Sequence, residues 1–268
     1  MSNPGYSVTD LLRVMQRLRD PYSGCPWDIA QDFHSIVPST LEECYELAQA
    51  IEDEDYEHVA EELGDVLFQV IFYAQLGLEQ EMFSFNTVVN SLVEKLLRRH
   101  PHVFSAGEIE GVVSQRSSVE EVKSSWEEIK QSERDSKHQT GVLADVPLAL
   151  PALPRAQKVQ KRAAQVNFDW SGTSPVLEKL DEELSELRSA MDGATPEEIH
   201  EEMGDLLFTC VNLARHLGVD AEESLRHATR KFEQRFSLME AAVEASGEGL
   251  PEMTEAQLDV LWNQAKER

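Results

Sequence analysis

Apolar residues recur at the spacing of an α-helix in two long segments of the chain. In residues 61–78 they follow the i, i+3, i+4, i+7, i+8 pattern of one helix face, at Leu63, Val66, Leu67, Val70, Ile71 and Ala74. Residues 201–219 repeat the pattern with Met203, Leu206, Leu207, Cys210, Val211 and Ala214. Alternating β-branched runs and Asn-Gly turns, which mark strands and hairpins, are scarce. The pattern therefore predicts an all-α protein.

Capping residues predict where several of these helices begin and end. Thr195 immediately before Pro196 predicts a helix start, because proline fits the first helical position. Ser39 or Thr40 is predicted to cap an earlier helix in the same way. Gly218 follows the apolar segment of the second half, which suits a helix C-terminus, and Gly77 is predicted to do the same in the first half.

Clusters of acidic residues are repeated along the chain at a fixed offset of 140 positions. Glu42-Glu43-Cys44-Tyr45-Glu46 and Glu61-Glu62-Leu63-Gly64-Asp65 return as Glu182-Glu183-Leu184-Ser185-Glu186 and Glu201-Glu202-Met203-Gly204-Asp205. A further helix, predicted over 85–99 and over 221–236, ends in basic residues in both halves. These repeats predict a duplicated four-helix unit.

The repeats also predict the domain boundaries. The first domain covers residues 1–140 and includes a helical extension over 105–140, where an amphipathic helix carries Trp126 on its apolar side. A Pro-rich connector at 141–154 leads into the second domain, residues 155–268.

The spacing of the acidic residues predicts two clusters of carboxylates. Residues three apart share a helix face, so Glu43 projects with Glu46 and Glu62 with Asp65, and antiparallel packing brings both pairs into one pocket. The glycine between Glu62 and Asp65 is expected to let a neighbouring helix approach. The corresponding ligands of the second unit are Glu183, Glu186, Glu202 and Asp205. Oxygen ligands without His or Cys favour Mg²⁺, with Mn²⁺ able to substitute, and metal-assisted displacement at phosphorus.

Composition excludes several other classes of function. The chain has 24 Lys+Arg against 50 Asp+Glu, so broad binding to a nucleic-acid backbone is not expected. Its three cysteines form no CxxC pair and are expected to be reduced, as in a cytoplasmic protein. The N-terminus lacks the pattern of a signal peptide, and no apolar run approaches membrane-spanning length.

These motifs resemble the MazG family of nucleoside triphosphate pyrophosphohydrolases, whose signature is EExxE, a spacer and EExxD. The other matching blocks are Cys25-Pro26-Trp27-Asp28, Arg98-Arg99-His100-Pro101-His102-Val103-Phe104, Leu153-Pro154-x-Ala156-Gln157-Lys158, Phe168-Asp169-Trp170 and Lys231-Phe232-Glu233-x-Arg235-Phe236. The resemblance covers nearly the whole chain and implies two tandem helical-bundle domains that form a homodimer. It also implies Mg²⁺-dependent hydrolysis of an NTP to NMP and pyrophosphate, with the activity in the C-terminal domain.

Several residues independently favour the second unit as the main catalytic site. Lys179 stands one turn before Glu183 and suits a phosphate, whereas the first unit has Ser39 at the corresponding position. Trp262 and Lys266, for which the first unit shows no counterpart, are predicted to bind a base and a phosphate. Further phosphate ligands are predicted at Lys231 and Arg235. Catalytic roles are predicted for Glu183, through the metal, and for Glu182 or Glu201, which would orient or deprotonate water.

Three alternative functions fit part of the pattern. A di-iron bundle requires Glu-x-x-His on two helices, and Glu197-x-x-His200 supplies one, but the position equivalent to His200 is Ala60. A non-enzymatic helical interaction or regulatory module would explain the apolar stripes but not the inward-facing acids. A relative acting on dUTP or phosphoribosyl-ATP would differ only in substrate. Because aromatic stacking tolerates any base, a broad NTP and dNTP range is expected.

Overall fold

A computed structural model describes residues 5–111, 118–122, 125, 126, 129, 133, 141–246 and 249–267. The secondary structure in these ranges is helical, with no strand, which confirms the predicted all-α class. The chain divides into two compact units, Met1–Ile129 and Lys130–Arg268. In the part of the chain that is described, no helix combines the length and hydropathy needed to cross a membrane.

The N-terminal unit is built from five helices followed by a partly described helical segment. The helices are α1 (Val8–Leu18), α2 (Pro26–Ala30), α3 (Val37–Glu52), α4 (Tyr56–Glu79) and α5 (Phe85–Arg99). A short 3₁₀ turn follows, and the described residues between 119 and 133 are helical, as predicted for the extension. Contrary to the prediction, α3 begins at Val37 rather than after Ser39 or Thr40, because Pro38 occupies its first turn.

The core of the N-terminal unit lies along the C-terminal half of α4. Ile71, Phe72 and Leu76 of this helix are buried together with Met15 of α1 and with Ile36, which precedes α3. The connection between α3 and α4 is three residues long, so the two helices form an antiparallel hairpin with extensive mutual contact. The apolar half of α4 therefore anchors its acidic N-terminal half beside α3.

A buried arginine fastens the segment around α2 to the end of α4. The Arg19 guanidinium donates hydrogen bonds to the Glu79 carboxylate, at 2.7 Å from Nη2, and to the backbone carbonyls of Asp28 and Gln31. It also lies 5.2 Å from the centre of the Phe72 ring. One side chain thus satisfies acceptors from three segments at the edge of the core.

The C-terminal unit repeats the helical hairpin with its own flanking helices. They are α6 (Ala152–Ala164), α7 (Thr173–Met191), α8 (Pro196–His216), α9 (Ala221–Ser246) and α10 (Glu255–Lys266). Residues buried on the long helices include Val176, Leu187, Val211, Met239 and Val243. The amide of Gln160 on α6 donates to the carbonyl of Phe208 on α8, at 2.8 Å, and ties these two helices together.

The predicted helix boundaries at Thr195 and Gly218 are confirmed in the C-terminal unit, whereas in the N-terminal unit the prediction at Gly77 is wrong, like the predicted start of α3. Thr195 caps α8 through a capping box, and Gly218 adopts the left-handed conformation just after its end, with φ +71°. Gly77 does not end α4, which continues to Glu79. A Cβ atom at Gly77 would lie 2.6 Å from the Phe83 ring, so glycine is required there for close packing.

We expect Arg19→Ala to lower the free energy of unfolding of the N-terminal unit by about 2–3 kcal/mol, because it removes the charged partner of Glu79 and a hydrogen-bond donor to two backbone carbonyls. Arg13→Ala, which removes an exposed arginine from the same helix, should change it by less than about 0.5 kcal/mol. Urea denaturation followed by circular dichroism measures both. Equal stabilities for the two variants would show that the Arg19 contacts do not stabilise the unit.

Candidate active site

The α3–α4 hairpin brings three glutamates of the N-terminal unit together. Carboxylate oxygens of Glu43, Glu46 and Glu62 all lie within 4.8 Å of one another. Glu62 is buried, Glu43 is half-buried and Glu46 is exposed, so the group opens from the edge of the core towards solvent. Asp65, the fourth predicted ligand, is exposed and does not belong to this group.

The α7–α8 hairpin forms the same arrangement in the C-terminal unit. Glu183, Glu186 and Glu202 place carboxylate oxygens within 4.8 Å of one another, and Glu183 is only 5% exposed. Asp205 is exposed and lies outside the group, as Asp65 does in the first unit. Three of the four predicted acids in each unit thus converge on one place.

Crowding of the acids changes their proton affinity. Partial burial raises the pKa of Glu43 above the ordinary carboxyl value, and the charges of Asp65, Glu46 and Glu62 raise it further. Asp65 is therefore close enough to act on the group electrostatically. Desolvation likewise raises the pKa of Glu186, with Lys179 opposing the shift.

The two units place different nitrogen-bearing side chains against their acids. In the C-terminal unit Lys179 Nζ lies 2.7 Å from Glu182 Oε1 and 3.0 Å from Glu183 Oε1, and these hydrogen bonds raise the pKa of Lys179. In the N-terminal unit His58 Nε2 lies 2.7 Å from Glu62 Oε1. Lys179, predicted as a phosphate ligand, therefore binds two of the acids in this structure.

The chemistry of both groups fits a hard divalent cation. Each offers three carboxylates from two helices, and oxygen-only ligand sets suit Mg²⁺ or Mn²⁺. In the N-terminal unit, no described residue donates a hydrogen bond to Glu62 Oε2, which is buried. An unpartnered buried carboxylate oxygen is costly, and a cation would satisfy it. Among the described residues neither group contains a histidine, whereas a di-iron bundle takes histidine ligands from two of its helices.

The glycines between the acids have an unexpected environment. Among the described residues, no atom outside the helix's own neighbouring backbone lies within 4 Å of a Cβ atom built at Gly64 or at Gly204. The expectation that Gly64 lets a neighbouring helix approach is therefore wrong within the chain itself. The helix surface beside the acids is open in both units.

A second cluster in the C-terminal unit joins α9 to α10. The Trp262 ring lies 5.2 Å from the Phe232 ring, 5.8 Å from the Arg235 guanidinium and 5.7 Å from Lys266 Nζ. Three of the residues predicted to bind nucleotide thus share one surface. Lys231 is exposed on α9.

Sequence reasoning missed two residues of these clusters. Phe232 was part of a matching block without a predicted role, and its i, i+4 spacing to Phe236, with which it stacks at 5.9 Å, was the available signal. His58 was not singled out, although its i, i+4 spacing to Glu62 predicts a contact on one helix face. The predicted catalytic residues Glu182 and Glu201 are both exposed.

Both acidic hairpins lie in segments of the chain that match a known protein family. The family model of the MazG nucleotide pyrophosphohydrolase domain matches residues 31–104 and 172–237, which contain both hairpins. The nucleoside triphosphate pyrophosphohydrolase of Escherichia coli K12 is 47% identical over 261 residues, covering 97% of each chain. The nucleoside triphosphate pyrophosphohydrolase/pyrophosphatase MazG of Thermotoga maritima is 44% identical over 266 residues, covering 99% of this chain and 98% of its own. The chain therefore belongs to the MazG family, and it carries the family's domain twice.

Proposed function

We propose that this protein, a nucleoside triphosphate pyrophosphohydrolase, depends on Mg²⁺ and converts an NTP and water to NMP and pyrophosphate. The α7–α8 hairpin of the C-terminal unit carries the main catalytic site. The supporting observation is the convergence of Glu183, Glu186 and Glu202 at the margin of the core, in a member of a hydrolase family. A broad range of NTPs and dNTPs is expected, because an aromatic ring stacks on any base.

The three glutamates would hold the metal, together with Asp205, which follows Glu202 by three residues on α8. When bound, Mg²⁺ neutralises charge on the triphosphate and lowers the pKa of a coordinated water. Glu183 is fixed by burial, so it gives the site a rigid ligand, while the exposed Glu186 can adjust to the incoming substrate. Glu182 and Glu201 stand next to the metal ligands in sequence, where either one can orient or deprotonate the attacking water.

The α9–α10 cluster would bind the rest of the nucleotide. Trp262 offers a ring face for the base, and Lys231, Arg235 and Lys266 offer positive charge for phosphate oxygens. Lys179 has a separate role in this proposal. In the free protein its ammonium group neutralises Glu182 and Glu183. When the metal cation binds these carboxylates, the ammonium group is released and binds a phosphate of the nucleotide.

A homodimer in the cytoplasm is the proposed working state. Apolar side chains exposed within a single chain support the dimer, among them Leu92 and Leu96 on α5 and Leu225 and Phe232 on α9. The cysteines Cys25, Cys44 and Cys210 are all free, as expected in a reducing compartment.

The position of water attack can be tested directly with isotopic label. Incubation with a panel of NTPs, Mg²⁺ and ¹⁸O-water should release NMP and pyrophosphate from each NTP, with the label in the NMP because water attacks the α-phosphorus. Mass spectrometry of both products measures this. Orthophosphate as the primary product, or label in the pyrophosphate, would contradict the proposed reaction.

Matched substitutions test which unit carries the turnover. Glu183→Gln should lower kcat/KM by about 100-fold or more, because it removes a negative ligand from the metal site. Glu43→Gln makes the same change in the N-terminal unit and should cost far less activity. Pyrophosphate release by each full-length variant measures the difference, and full activity in Glu183→Gln would refute the assignment.

Lys179→Met separates the two roles proposed for that lysine. We expect kcat/KM for the nucleotide to fall by roughly 10- to 100-fold, because a charged phosphate contact is lost. Mg²⁺ binding in the absence of nucleotide should instead become tighter, since no ammonium competes for Glu182 and Glu183. Arg188→Met is the control, because nine residues of helix place Arg188 on the opposite face of α7. Weaker Mg²⁺ binding in Lys179→Met would contradict the competition.

A further inference from the structure

The helix starts give a new alignment of the two units beyond the acidic helices. α5 begins at Phe85 and α9 at Ala221, which are 136 positions apart. Equivalent residues cap both starts, since Ser84 accepts a hydrogen bond from the Thr87 amide and Asp220 accepts one from the Glu223 amide. The stretch from the second acidic motif to the start of the following helix is therefore four residues longer in the N-terminal unit. At the offset of 140, α4 ends three residues later than α8, and the connection after it has five residues instead of four. The offset of 140 fits the acids but misaligns the residues after them.

At the offset of 136, the N-terminal unit repeats the cation pair of α9. Lys95 and Arg99 are the eleventh and fifteenth residues of α5, as Lys231 and Arg235 are of α9. The two pairs therefore occupy the same positions within their helices. Both have the i, i+4 spacing that places two side chains on one helix face.

The aromatic residue is repeated at the same offset. Trp126 and Lys130 correspond to Trp262 and Lys266, with the same spacing of four. The expectation that the N-terminal unit has no counterpart for the last two residues is therefore wrong. Lys130 lies outside the described residues, whereas Trp126 is described.

Trp126 contacts Arg99, the residue that the offset of 136 predicts as its neighbour. Its indole Nε1 donates a hydrogen bond of 2.7 Å to the backbone carbonyl of Arg99, and Trp262 packs against Arg235, the equivalent residue. The His100 ring meets Trp126 edge-on with ring centroids 5.1 Å apart. The correspondence between the two units therefore extends from sequence to contacts.

The acidic residues of the N-terminal unit give evidence for a bound ligand that does not depend on this alignment. Glu62 is only 6% exposed, and its Oε2 lacks a hydrogen-bond partner among the described residues while its carboxylate faces those of Glu43 and Glu46. No lysine stands where Lys179 does in the C-terminal unit, because position 39 is Ser39. A divalent cation would balance this charge and satisfy the unpartnered oxygen.

We propose that the N-terminal unit is a second binding site for a nucleoside triphosphate with its divalent cation. Glu43, Glu46 and Glu62 hold the cation, Lys95 and Arg99 bind the phosphate chain, and Trp126 stacks on the base. This inference rests on the function proposed for the C-terminal unit, because the roles are assigned by equivalence. Ser39 supplies no ammonium to the acids or to a phosphate, so this site binds nucleotide without appreciable turnover.

Binding stoichiometry of the full-length protein tests the second site. The probe is α,β-methylene-ATP with Mg²⁺, whose carbon bridge blocks the proposed cleavage, and equilibrium dialysis counts the molecules bound. Wild-type protein should bind two per chain, and the Glu183→Gln/Glu202→Gln variant should bind one. Adding Lys95→Ala to that variant should weaken the remaining site by about tenfold or more, because it removes a charged phosphate contact. Arg13→Ala, an exposed arginine on α1, is the charge-matched control and should have no effect.

Each alternative outcome is distinct. One molecule bound by wild-type protein and none by Glu183→Gln/Glu202→Gln would overturn the second site, as would binding to that variant that does not respond to Lys95→Ala. Failure of wild-type protein to release pyrophosphate would instead overturn the proposed function. If the double variant is unfolded by circular dichroism, Lys231→Ala/Lys266→Ala, which changes two exposed side chains, replaces it. That variant should weaken one of the two sites and leave the other, and a single class of unaltered sites would count against the inference.

Discussion

Carboxylates repel one another, and in each unit three of them are held within 4.8 Å across a helical hairpin. The repulsion is visible in Glu43, whose pKa is raised by burial and by its acidic neighbours. Packing elsewhere on the same helix opposes it. In the N-terminal unit the apolar half of α4 is fixed by Phe72, Leu76 and the Arg19 contacts, so its acidic half cannot move away from α3. The buried apolar half of α4 and its repelling acidic residues are thus parts of one helix.

The two units relieve this repulsion in different ways, and the difference bears on function. In the C-terminal unit an ammonium, Lys179, comes from the same helix as Glu183 and contacts two acids. In the N-terminal unit an imidazole, His58, contacts one oxygen of Glu62, and the other oxygen has no hydrogen-bond partner in the described part of the chain. A lysine that a metal can displace becomes available to a phosphate, whereas Ser39 offers nothing comparable. The same fold therefore supports one site proposed for turnover and one proposed for binding.

The sequence predicted the fold class and most of the acid clusters, because helix geometry alone places residues three apart on one face. Glu43 with Glu46, and Glu183 with Glu186, follow from that rule. The same rule could not show that Asp65 and Asp205 lie outside the groups. Their position depends on how the two helices of each hairpin pack, which the spacing within one helix does not determine. The length of α4 was the other obstacle. Because α4 and the connection after it are together four residues longer than α8 and its connection, the offset of 140 does not align Trp126 with Trp262.

Gly64 and Gly204 each lie inside a helix, and no described residue packs against the position of a Cβ atom there. Glycine within a helix costs about 1 kcal/mol relative to alanine, through the conformational freedom of the unfolded chain. At Gly77 close contact with an aromatic ring explains that cost, but at Gly64 and Gly204 no contact with the described residues does. The absence of a side chain next to each acidic group therefore leaves space for a ligand or another protomer to approach the helix. Each hairpin is thus less stable by the helix propensity of one glycine, at the position where a bound molecule would contact the helix backbone.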